Sequence, residues 1–227
     1  MNRTDFLLAR RTLLRAALLT GAAAMTACTS TPDQPRTGRT TPTPASGPAD
    51  SPRARVLLAY FSRPGENYYY GDRRDLKTGN TEILARKIHD LIDCDLYRIE
   101  PVDPYPHDYD ATVARNVREQ NADARPAIKG RLPDLTGYST VVLASPTWNV
   151  RAPMIMTTFT DQFDFRGKTI HPATTHAMSG LGTTERDYAA ACRGATIGAG
   201  LAVQGEKVND AELPIRAWLQ RNGLLQR

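Results

Sequence analysis

At 227 residues and a formal net charge of +5, the chain has room for one sizeable domain and an additional segment. Its 41% apolar and 23% charged content excludes a wholly disordered protein. Residues 1–52 hold six arginines and three acids, so 23 basic and 21 acidic residues remain in the body. That near balance argues against nucleic-acid binding, which calls for a concentrated basic face, and against a strongly acidic electron carrier.

In chain order, the leader comes first. Arg3, Arg10, Arg11 and Arg15 precede the apolar run Ala16 to Ala27, which is too short to span a bilayer, and small residues lead into Cys28. "ARRTLLR" (9–15) resembles the twin-arginine export signal, and "MTAC" (25–28) a lipoprotein cleavage box with Met25 where leucine is usual. Residues 1–28 are therefore expected to be a signal peptide, with lipidation of Cys28 and an exported chain anchored to the outer face of the cytoplasmic membrane. The alternative is an ordinary cleaved signal with a chance cysteine. Residues 29–52, crowded with Pro, Thr and Ser, cannot bury enough surface to offset ordering and read as a disordered linker. Residues 53–227 form the folded domain.

Within it, Arg55 to Phe61 reads as a buried strand. Leu84, Ile88, Leu91 and Ile92 share one face of a helix from about Gly79 to Asp93. Leu96 to Glu100 is a second strand, and a polar helix follows near Tyr109 to Asn121. Ser139 to Ser145 is the third strand, with a helix over Met154 to Gln162. Lys168 to Thr175 is the fourth, followed by a helix near Thr183 to Cys192. Thr196 to Val203 is a glycine-interrupted fifth strand. The last helix, near Asp210 to Asn222, is expected to turn Leu213, Trp218 and Leu219 inward, with Gly223 at its C-cap. This alternation predicts an α/β fold: a doubly wound five-stranded parallel sheet, order 2-1-3-4-5, with helices on both faces. Ligands of such sheets lie beyond the carboxyl ends of the strands, where the winding reverses. Here that means the loops after strands one, three and four.

After strand one stand Ser62 and Thr78-Gly79-Asn80-Thr81, whose hydroxyls and amides at a helix start suit a phosphate. Taken alone, "TGNT" reads equally well as a turn with an N-cap. After strand three, Trp148 sits in "SPTWNVRAP", where it can stack on a flat heteroaromatic ligand or tuck over its own loop. After strand four comes "THAMSGLGTTERD", a small, polar, glycine-rich loop. Cys94 and Cys192 stand apart, and the four histidines lack metal-ligand spacing, so no metal site is expected. Residues 64–77, with Tyr68, Tyr69, Tyr70, Arg73 and Arg74, interrupt the first loop. They are either a tolerated surface insertion or a flap over the site.

"AYFSR" (59–63) with "GNTE" (79–82), "PTW" (146–148) with "APM" (152–154), and "THAMSGLG" (175–182) together resemble the flavodoxin family over roughly residues 54–224. The resemblance implies bound FMN, with Ser62, Thr78, Asn80 and Thr81 at the phosphate. Trp148 would lie against the isoalloxazine, and Thr147, Asn149, Thr175, His176, Ser179 and Gly180 along its edge. Arg63, Gly79 and Pro146 complete the implied cofactor-binding set. Asn149 and Val150 depart from the branch's pattern after the tryptophan, and Met178 stands near the usual place of a second ring-covering tyrosine. The more open flavin face favours a second substrate. An FMN-dependent oxidoreductase is expected, drawing on NAD(P)H or a redox protein and passing electrons to a quinone-like or protein acceptor. An electron-transfer module without a small substrate and a tethered non-redox binding domain are the alternatives.

Overall fold

The structure, a computed structural model, describes residues 55–225; the leader, Cys28 and the linker lie outside the described residues. Its central sheet is wholly parallel. β1 (Arg55–Tyr60) pairs with β4 (Asp95–Arg98) on one side and β5 (Tyr138–Pro146) on the other, and β6 (Thr169–His176) pairs with β5. The last position is held by two short pieces, β7 (Thr196–Ile197) and β8 (Leu201–Gln204), both parallel to β6. The order is the expected 2-1-3-4-5, with the fifth strand broken at Gly198 to Gly200. Gly198 is obligatory there, because a Cβ would collide with the His171 ring on the neighbouring strand.

Both sheet faces are apolar, which is why these strands show no polar alternation. On one face, Leu57, Ala59, Val141 and Leu143 pack with α3 (Met154–Thr160), through Ile155 and Phe159, and with Tyr188 of α4 (Thr184–Ala191). On the other, Leu58, Tyr60, Val142 and Ala144 meet α1 (Asn80–His89) and α5 (Glu212–Arg221) through Leu84, Ile88, Ile215 and Trp218. The expectation that Leu213 faces inward is corrected. It is 79% exposed, and Ile215 holds the inward position one helical turn before Trp218 and Leu219. Gly223 ends α5 at φ +68°, as a helix C-terminus favours.

α2 (Tyr109–Asn121) is anchored differently. Its buried positions are polar: Thr112, Asn116 and Glu119. The Asp108 carboxylate caps it by accepting from the Ala111 amide at 2.7 Å, and Glu119 accepts from the Tyr105 hydroxyl at 2.7 Å. The polar face of α2 is thus fastened beside the loops that carry the site.

Residues 64–77 are not an open loop. β2 (Gly65–Tyr69) and β3 (Asp72–Leu76) form an antiparallel hairpin turning at Tyr70-Gly71, both with positive φ. Among the described residues, no helix is long and apolar enough to cross a membrane.

Candidate functional site

The three loops meet at the carboxyl edge of β1, β5 and β6, and two threonines join them. Thr81 and Thr175 share a hydrogen bond of 2.6 Å between their hydroxyls, and the Thr147 amide donates to the Thr175 carbonyl at 2.8 Å. Between these loops lies a cleft of about 90 Å³ lined by Ser62, Asn80, Thr81, Trp148, His176 and Glu206, among others. Its volume suits a phosphoryl group and is too small for a flavin ring.

The start of α1 forms one wall. Ser62 accepts from the Glu82 amide at 3.0 Å, so its hydroxyl oxygen anchors the first turn while its hydrogen is left to donate. The amides of Asn80 and Thr81 have no carbonyl four residues back within the helix, and they sit at its positive end. Gly79 is required by packing. A Cβ there would collide with the Arg63 carbonyl and the Ser62 hydroxyl, so the glycine lets two loop segments meet rather than opening space for a ligand. Thr78 precedes it, half-buried, outside the cleft lining. Arg63 lines the cleft but is committed elsewhere: its guanidinium donates to the carbonyls of Pro106 (2.7 Å), His107 (2.9 Å) and Glu66. Burial depresses its pKa from the usual value.

Trp148 fills space that the sequence did not reveal. Its half-buried ring stands edge-on to Phe61 (5.6 Å between centroids, 89°) and to Tyr105 (5.0 Å, 78°), yet still lines the cleft. Its backbone closes a tight turn with Arg151, made possible by Asn149 at φ +63°. Gln120 of α2 braces that turn by donating to the Trp148 carbonyl at 3.3 Å and accepting from Asn149 at 3.3 Å. Pro146 ends β5 at the cleft wall.

The third loop packs directly on this turn. The Ser179 hydroxyl donates to the Asn149 carbonyl at 3.1 Å, and the Gly180 carbonyl accepts from the Thr147 hydroxyl at 2.9 Å. Gly182 sits at φ +55° with its α-carbon so close to the Val150 carbonyl that any side chain would collide. His176 lines the cleft with an unpartnered Nδ1, and burial holds its pKa below the ordinary value despite the opposing field of Glu206.

Several cleft residues lie outside the expected cofactor-binding set. Asn67 and Tyr68 of the hairpin, Tyr109 of α2, Ala177 after β6, and Gly205 and Glu206 after β8 complete the lining. Tyr68 had a signal, since the tyrosine run leaves from the ligand edge. Glu206 had none, because it follows the fifth strand, away from the reversal in winding. A Cβ on Gly205 would collide with the Asn80 side chain, which fixes this turn tightly against the start of α1. Arg73 and Arg74 do not reach the cleft. Arg73 stacks on Tyr109 (3.7 Å) and pairs with Asp110 (3.3 Å), while Arg74 covers Tyr69 (3.6 Å). Among the described residues, no cluster of His, Cys, Asp and Glu could hold a metal ion.

A sequence-family model described as Flavodoxin matches residues 75–222. A candidate flavoprotein of Bacteroides eggerthii is 28% identical with a TM-score of 0.59, spanning 74% of this chain and 97% of that one. Another from Bacteroides uniformis is 26% identical with a TM-score of 0.57, spanning 72% and 98%. A Lactobacillus acidophilus flavoprotein solved in complex with FMN is 17% identical with a TM-score of 0.52, over 69% and 97%, a likeness of fold. No curated protein sequence matches the chain.

Proposed function

The chain belongs to the flavodoxin family, and from that premise we propose that it is an FMN-binding oxidoreductase. The observation that carries this reading is the small cleft at the start of α1, sized for one phosphoryl group and bounded by Ser62, Asn80 and Thr81. The hairpin walls that cleft through Asn67 and Tyr68, leaving room for a terminal phosphate and little beyond it. This favours FMN over FAD. The residues fit the group with one discord, the Glu206 carboxylate facing the phosphate position.

Bound FMN supplies the electron exchange. The chain's part is to hold and orient it. Ser62, Thr81 and the first amides of α1 take the phosphate, with Thr78, Gly79 and Arg63 shaping the turn around them. Trp148 offers the rim of an aromatic cluster to the flavin ring, while Pro146, Thr147, Asn149, Thr175, His176, Ser179 and Gly180 border it. Arg151, near this rim, is paired with Asp187 at 3.7 Å, so the carboxylate offsets most of the charge it could lend to a reduced ring.

A donor such as NAD(P)H or a redox protein and a quinone-like acceptor complete the proposed reaction. Steady-state turnover with NAD(P)H and a quinone tests it; a flavin-loaded chain that reduces no quinone would refute it. A second reading, electron exchange with a protein and no small substrate, is favoured by Val150 and Met178. They are 48% and 81% exposed on two mutually bonded rim loops. Reduction by a partner protein but never by NAD(P)H would select it.

The leader motifs support export and lipid anchoring at Cys28. Changing Arg10 and Arg11 to Lys is expected to hold the flavin-loaded chain in the cytoplasm, and normal export of that variant would refute the twin-arginine assignment.

A further inference from the structure

The hairpin stands between two cavities, of which the phosphate cleft is the smaller. On its other side lies a chamber of about 540 Å³. Pro64, Gly65, Leu76 and Lys77 form one wall, and Arg98 at the end of β4 with Ile99, Glu100, Pro101, Pro104 and Tyr105 form the other. We propose that this chamber is a second ligand site, built by the hairpin, for a flat organic anion.

Three observations converge. The volume lies within the range of small-molecule sites, where an apolar body is enclosed and a few polar groups fix orientation. The chamber's walls are largely apolar: Pro64, Leu76, Pro101 and Pro104 line it, with the buried Phe61, Ile99 and Tyr105 behind them. Proline faces of this kind pack flat against a planar apolar body.

The charge on the walls is also unevenly matched. Asp75 lies 2.9 Å from His107, a pair that is ionic only when the histidine is protonated, and Glu100 is paired with Arg98 at 3.3 Å. Arg63 gives its guanidinium to backbone carbonyls. Among the described residues, Lys77 and Lys129 form no ion pair, although both line the chamber. Both are exposed, so their ammonium groups are left to receive an anion.

The site is distinct from the cofactor cleft. The two share only Ser62 and Arg63, and Trp148 belongs to the cleft while Phe61 and Tyr105 back onto the chamber. The proposal stands whether or not the neighbouring cleft holds FMN.

Calorimetric titration of the full chain, with and without added FMN, tests it with 2-naphthoate and its neutral isostere 2-naphthamide as probes. 2-Naphthoate is expected to bind about tenfold or more tightly than the amide. A Lys77→Ala, Lys129→Ala double variant should lose that preference while keeping its unfolding midpoint and flavin content, since both side chains are exposed. Equal or absent binding of both probes overturns the proposal. So does a preference that survives in the double variant, or displacement of 2-naphthoate by FMN, which would place the probe in the cofactor cleft. Failure of quinone turnover leaves these binding outcomes unaffected, so the two readings fail separately.

Discussion

Glu206 accepts a hydrogen bond from the Tyr70 amide at 3.1 Å, tying the 3₁₀ helix Gly205–Asp210 to the tip of the hairpin. The other end of the hairpin is held across the cleft, where the Glu66 amide donates to the His107 carbonyl at 2.9 Å and Glu66 accepts from the Tyr109 amide at 3.2 Å. The insertion is therefore a strap fixed on both banks, and one of its anchors is a carboxylate facing the proposed phosphate position.

Glu206→Gln is expected to tighten FMN binding severalfold. The amide oxygen still accepts from Tyr70, while the like charge beside the phosphate is removed, an effect of about 1 kcal/mol for a partly exposed pair. Fluorescence titration checks it, and weaker binding would show that the carboxylate serves the cofactor through another contact.

Trp148→Ala should act twice. Losing the edge-on contacts with Phe61 and Tyr105 is expected to cost about 1–3 kcal/mol of stability, and losing the flavin contact about 1 kcal/mol or more of FMN binding. Urea unfolding and flavin titration separate the two. Unchanged flavin affinity with reduced stability would leave Trp148 a packing residue only.

Gly79→Ala should destabilise the chain by about 1–3 kcal/mol, because its Cβ meets backbone that cannot retreat. The same substitution should loosen FMN, since the turn that holds Ser62 against α1 is displaced. A variant as stable as the parent would contradict the geometry assigned to this turn.

Stability should depend on pH through two histidines. Burial lowers the pKa of His171 and of His176 below the ordinary 6.5 in the folded chain. The unfolded chain therefore takes up protons first as pH falls. Their contribution is fully present above about pH 6.5, begins to be lost as pH drops through that value, and is gone below the folded pKa values. Each site adds up to about 1.4 kcal/mol per pH unit within that window. Urea unfolding of the flavin-free chain between pH 8 and 5.5 measures this, and His171→Gln should remove part of the slope. An unchanged slope in that variant would exclude His171.

The parallel sheet and its order were legible because long apolar runs alternating with helical periodicity carry them locally, and Tyr109–Asn121 could be read as a polar helix between two strands. The hairpin was not. Asp72 to Leu76 is mostly exposed and charged, so no buried face marks it as a strand, and the pairing is fixed by the turn at Tyr70-Gly71. Leu213 was misplaced although spacing settles it: Ile215 stands three and four residues before Trp218 and Leu219, on their face, whereas Leu213 stands five before Trp218 and turns away. At the site, the three loops could be read from their residue types and strand ends. The partners of Trp148 and the place of Glu206 could not, since both depend on segments distant in sequence that only the folded sheet brings together.

The most direct measurement is the identity and amount of flavin released by heat from the purified full chain after cytoplasmic folding. The account predicts one FMN per chain. Stoichiometric FAD, or a folded chain that neither carries nor takes up FMN, would contradict it.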